Sequence, residues 1–252
     1  MNSFKTLQRG AFALAVSAGL SALPGSIARA EPAPPREVIE VTRQDVDASN
    51  AKVQLAYDAL IQMWSADYQQ IGDRFAAPEL VRYRSPIRTP CGVMMPNNAG
   101  YCYADNTIYF DDVFVAAQEK AASRALGTDG DMAGLGVIAH EMGHAVAMQL
   151  GDVSRVSYQN EATADCLAGA FAQHASKDGS LEAGDVQEAE FGMASAGDPT
   201  PELTGDRRID ERIAARLASD SHGTRDQRVQ NFRTGLQGGA GACLADFRGI
   251  VS

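Results

Sequence analysis

The chain has 252 residues, 45% of them hydrophobic, with 24 glycines and 10 prolines, which suits a folded domain with a sizeable core and excludes collagen-like, disordered or repeat-array classes. Its formal charge of −10 carries no basic footprint, so no nucleic-acid partner is expected. Four cysteines in a chain of this kind raise the question of its compartment.

The first 30 residues answer it as an expectation. Lys5 and Arg9 precede an apolar run from Ala11 to Leu23, a Pro24-Gly25 break, and the small residues Ala28 and Ala30. That order predicts a secretory signal peptide over 1–30, cut after Ala30, and a periplasmic or secreted protein. The apolar run is short for a bilayer span, and no later run approaches spanning length, so no stable membrane insertion is expected after cleavage; an uncleaved anchor is the alternative. Cleavage leaves 222 residues and removes three basic residues and no acidic one, taking the charge from −10 to −13. In an oxidising compartment Cys91, Cys102, Cys166 and Cys243 are expected to form two disulfides. Of the three pairings, Cys91 with Cys102 and Cys166 with Cys243 are preferred to the crossed ones, and the absence of a Cys-x-x-Cys pair argues against cysteine as a metal ligand.

Residues 31–46, with Pro32, Pro34 and Pro35, are expected to be an extended leader, and 47–252 a single domain. Val53, Tyr57, Leu60, Trp64 and Tyr68 recur at helical spacing and predict an amphipathic helix from Asp47 or Ser49 to about Ile71. Between Val81 and Asp111 short β-rich pieces replace that period, and 101–103 with 107–110 read as a β-hairpin about Ala104, Asp105 and Asn106. Helices follow over 112–126, 131–150, 157–176, 185–196, 207–218 and 224–236, with capping-box spacing at Asp185/Glu188 and Thr224/Gln227. The expected class is α+β, mostly helical, with a small antiparallel sheet and a pair of helices carrying the site.

The chemistry concentrates in two of these helices. His140-Glu141-Met142-Gly143-His144 is a His-Glu-x-x-His motif, and on a helix its two imidazoles lie one turn apart on one face, within reach of one ion. Glu141 beside them is placed to act as general base toward a water acidified by the metal. After Gly151 the next helix carries Glu161 and Asp165 on one face. Glu161 is assigned as third ligand, and Asp165 as the acceptor that fixes a liganding histidine through its free ring N–H. Two histidines and a glutamate favour one Zn²⁺. Without a shared ion, burying these four polar groups on helices of small and apolar residues would be costly. His222, in Ser221-His222-Gly223-Thr224 at a helix start, is either an oxyanion donor or part of a capping loop.

With these residues in place, the chain resembles the bacterial neutral zinc metallopeptidase family. The resemblance runs from about Pro90 to Cys243 and includes Cys91-Gly92, Tyr101-Cys102, Asp105, Thr107-Ile108-Tyr109, Asp165-Cys166, Gly197-Asp198, and His222-Gly223-Thr224 with Arg228. Ala145 stands where the family often has a further histidine, and 199–220 is longer and more charged than its usual connection. The resemblance implies a mostly helical zincin-like domain, zinc dependence and peptidase activity on a peptide or protein substrate. In the leading reading, hydrolysis of a peptide bond, an edge strand near Thr107–Phe110 is expected to align an extended substrate by main-chain pairing. A non-catalytic zinc-binding or chaperone-like periplasmic protein, or a zinc-dependent amidase, is the alternative. Glu141 weighs against the former, since a structural site needs no base.

Overall fold

A computed structural model describes residues 39–250, with the side chains of 218–220 excepted. The expected signal peptide and cleavage point lie outside the described residues. The described residues cluster as one compact unit. The first helix, α1 (Arg43–Gln70), starts inside the stretch expected to be extended, because Thr42 and Asp45 form a capping box that satisfies its first turn. It buries Val46, Val53, Leu60, Trp64 and Tyr68 along one stripe, and Tyr68 donates its hydroxyl hydrogen to the Val146 carbonyl at 2.8 Å.

Five short strands follow: β1 (Glu79–Tyr83), β2 (Ile87–Thr89), β3 (Gly92–Met94), β4 (Ala99–Cys102) and β5 (Thr107–Asp111). β2 and β3 form a separate antiparallel hairpin. The main sheet has the order β1-β5-β4, with β1 parallel and β4 antiparallel to β5, so it is mixed rather than purely antiparallel. The chain reaches the β1 position before making the hairpin, and β5 then enters between β1 and β4. β5 is therefore the central strand, buried at all five positions, and cannot be the substrate-aligning edge expected near Thr107–Phe110. The edge strands of this sheet are β1 and β4.

Helices make up most of the remainder: α2 (Asp112–Leu126), α3 (Asp131–Gln149), α4 (Ser157–Asp178), α5 (Asp185–Ser195), α6 (Arg207–Asp220), α7 (Arg225–Gly238) and the short α8 (Ala240–Cys243). The protein is a mostly helical α+β fold. α3 buries 14 of its 19 residues, too many for one stripe, and serves as the central helix against which α1, α2, α4, α5 and β4 pack. α4 and α7 meet backbone to backbone. A Cβ added at Gly169 would run into the Phe232 carbonyl, and one at Gly235 into the Cys166 carbonyl. Disulfides join Cys91 to Cys102 and Cys166 to Cys243, each with Cα atoms 5.6 Å apart, the second tying α8 to α4. Thr224 and Gln227 form the expected capping box of α7. Asp185 and Glu188 do not form one: the N-cap of α5 is Gly184, Asp185 accepts from the Glu182 N–H, and Glu188 reaches across to the Met132 N–H of α3.

Candidate metal centre

Small residues let α3 and α4 approach at the level of the proposed site. A Cβ at Gly143 would lie 2.9 Å from the Ala164 carbonyl oxygen. Across this contact His140 and His144 of α3 face Glu161 of α4. His140 Nε2 lies 3.1 Å from His144 Nε2 and 3.2 Å from Glu161 Oε2, and His144 Nε2 lies 3.5 Å from Glu161 Oε1. Donors held about 2.0–2.1 Å from a tetrahedral zinc would be about 3.3 Å apart, so the triangle fits that ion in size as well as in chemistry. Among the described residues, no fourth histidine, cysteine or carboxylate joins the group.

The supporting groups are buried more deeply than the donors. Asp165 has no exposed surface, and its Oδ1 lies 2.9 Å from His140 Nδ1. A proton on Nδ1 directed at this carboxylate leaves Nε2 with its lone pair facing His144 and Glu161, as a ligand requires. Arg228 of α7 closes the arrangement, with Nη2 at 2.5 Å from Asp165 Oδ1 and Nε at 3.0 Å from Oδ2. A buried carboxylate is thereby compensated by a buried guanidinium. Sequence reading placed Arg228 only within the family resemblance; its pairing with Asp165 depends on the α4–α7 contact, which no local pattern reports.

Burial works against charge on His140, but the Asp165 and Glu161 carboxylates outweigh it and push its pKa up to about 9. His144 moves down, through burial and the adjacent His140 charge. Glu161 is pulled down to about 2: burial alone would raise it, and the hydrogen bond and charge of His140 reverse the sign.

Glu141 is buried beside this cluster, and its Oε2 accepts the Tyr101 N–H at 2.8 Å. In the β4–β5 register Gly100 and Cys102 stand opposite Tyr109 and Thr107, and the Asp111 N–H donates to the Asn98 carbonyl. Asn98, Gly100 and Cys102 thus direct their backbone groups to β5, and the alternate residues Ala99 and Tyr101 direct theirs outward. This open edge borders a cleft of about 550 Å³ whose lining includes Ala99, Tyr101, His140, Glu141, His144 and Glu161. His222 lies on the same cleft with its side chain 64% exposed. Its backbone N–H donates to Asp198 Oδ2 at 2.8 Å, and its Nδ1 is 3.5 Å from Asp198 Oδ1. The cap of α7 is Thr224, so His222 does not act as the capping residue.

The chain belongs to a zinc metallopeptidase family: residues 22–247 match the family described as "Putative neutral zinc metallopeptidase". It is similar to the uncharacterized protein YpfJ of Escherichia coli strain K12, 35% identical over 197 residues, which are 70% of this chain and 63% of that protein. It is also similar to the uncharacterized protein Rv2575 of Mycobacterium tuberculosis, 29% identical over 189 residues, 66% of this chain and 60% of that one. The chain thus spans less than two thirds of the length of these relatives. No solved structure matches it significantly.

Proposed function

We propose that the chain is a zinc-dependent peptidase of the cell envelope, with His140, His144 and Glu161 as metal ligands, Asp165 orienting His140, and Glu141 as general base. The observation that carries this reading is the Glu141 carboxylate, buried beside a donor triangle of zinc size and open to a cleft. A bound zinc ion would supply Lewis acidity, polarising a carbonyl and bringing the pKa of a water to about 7. Tyr101 N–H fixes one oxygen of Glu141 and leaves the other to take a proton from the attacking water and pass it to the leaving amine. An extended substrate pairs with the outward Ala99 backbone groups of β4, which supports peptides over compact molecules. His222, turned by Asp198 through Nδ1, keeps its other ring nitrogen for the developing oxyanion. The location rests on the expected signal segment and the two disulfides; among the described residues no helix is long and apolar enough to cross a membrane.

The test is a mixed peptide library incubated with the zinc-loaded protein, with and without chelator, beside Glu141→Gln. Chelator-sensitive cleavage is expected, and the variant should retain zinc while turnover falls about 10²–10⁴-fold. Undiminished cleavage by zinc-loaded Glu141→Gln would overturn the mechanism.

A further inference from the structure

A second group of potential ligands lies at the N-terminal end of α3, apart from the cleft. Asp129 and Asp131 flank Gly130, the N-cap of α3, while Asp185 and Glu188 occupy the first turn of α5. One oxygen from each of the four lies within 4.8 Å of all the others. Oxygens across a calcium ion, at about 2.3–2.6 Å each, span about the same distance. Lys52 of α1 contributes one positive charge, with Nζ 2.9 Å from both Asp129 and Asp131, and four carboxylates against one ammonium leave a net −3. No lysine or arginine among the described residues pairs with Asp185 or Glu188.

The independent observation is Glu188 itself. Its side chain has no exposed surface, and Oε2 accepts the Met132 N–H at 3.0 Å, but Oε1 has no hydrogen-bond donor. Leaving one oxygen of a fully buried carboxylate unpartnered is costly unless a cation meets it. The Thr128 hydroxyl on the adjoining loop is also buried without a partner. Burial raises the Asp185 pKa, opposed by the Glu182 N–H and reinforced by the charges of Asp131, Glu188 and Asp129. Helix dipoles account for acids in a first turn, and they satisfy Oε2 of Glu188; they supply nothing to Oε1.

We propose that Asp129, Asp131, Asp185 and Glu188 bind a calcium ion that joins the start of the ligand-bearing helix α3 to α5. An all-carboxylate set selects a hard cation over zinc, and an irregular four-carboxylate cage suits calcium better than the strict octahedron of magnesium. The ion's role is structural. α5 supplies Gly192 and Met193 to the wall of the cleft, so the clamp holds that wall against α3.

The experiment uses zinc-loaded protein dialysed into calcium-free buffer, with zinc content checked before and after, and reads calcium binding by equilibrium dialysis and Tm against added CaCl₂ or MgCl₂. One equivalent of calcium is expected, with Tm rising about 5–10 °C at a hundredfold excess over Kd and a smaller response to magnesium. Glu188→Gln and the exposed-site variant Asp129→Asn should each weaken calcium binding at least about tenfold and leave zinc content unchanged. Glu188→Gln should also hold or raise Tm in calcium-free buffer, because it removes a repelled buried charge, whereas loss of a mere cap would lower it. If that variant fails to fold, Asp129→Asn decides alone. No calcium bound at millimolar concentration, a response unchanged in the variants, or a second zinc equivalent displacing calcium would overturn the proposal. Peptide cleavage is not among the readouts, so failure here leaves the proposed peptidase reading untouched.

Discussion

α3 carries polar clusters at two levels, nine residues or about 13 Å apart between Asp131 and His140. At the lower level every donor is an oxygen and one lysine faces four carboxylates. At the upper level two imidazoles dilute the charge, and Asp165 is cancelled by Arg228, which leaves Glu161 and Glu141 as two negative charges for a divalent ion to balance. The lower cluster is more negative than one divalent ion can neutralise even with Lys52 in place. Donor type and local charge, more than the number of acids, distinguish the two levels: two imidazoles with one carboxylate above, and carboxylates alone below.

Each level can be disabled separately. His222→Ala has the largest expected effect of the substitutions considered next: kcat and kcat/KM should fall together about a hundredfold, with zinc content unchanged. Normal turnover per zinc-loaded molecule would remove His222 from the reaction. Asp165→Asn should weaken zinc binding about ten- to a hundredfold, measured by competition with a chromophoric chelator, without altering the calcium response. Equal losses at both levels would show general unfolding of α3 instead. The smallest effect is expected at Glu119, near the lower level, whose carboxyl accepts the Ser49 hydroxyl hydrogen at 2.7 Å. Burial raises its pKa to about 7, partly opposed by Ser49 and Lys52. Because the folded value exceeds the unfolded one of about 4.3, its contribution to stability is complete below pH 4 and is lost as pH rises through 7. Glu119→Gln should therefore gain about 3 kcal/mol over the native protein at pH 8 and little at pH 4, read by denaturant unfolding. A pH-independent difference would remove Glu119 as the titrating group.

The upper level was legible because its chemistry is local. His140, Glu141 and His144 sit on one helical turn, and Glu161 and Asp165 repeat that spacing on the next helix. Most helix limits were also legible, as at Asp112–Leu126, where Asp111 caps the start and Gly127 in a left-handed conformation ends it. What escaped reading depends on pairing between distant segments. β1 joins β5 in parallel, and nothing around Glu79–Tyr83 announces that β5 will be the middle strand. The same holds for the lower level, where Asp185 and Glu188 have the spacing of a capping box, and only the packing of α5 on α3 turns Glu188 toward Met132. Thr42 and Asp45 offered a readable start for α1, obscured by the proline-rich stretch before them.

The glycine seam between α4 and α7 limits how this sequence can drift. Adding one methyl group at Gly169 or Gly235 would place it inside the opposing backbone, so the helices would have to separate to admit it. α7 is also the carrier of Arg228, the counter-charge of Asp165. Two positions outside the cleft, bearing no functional group, are thereby constrained together with the candidate ligands, and substitutions there would disturb the proposed metal site through Arg228 and Asp165.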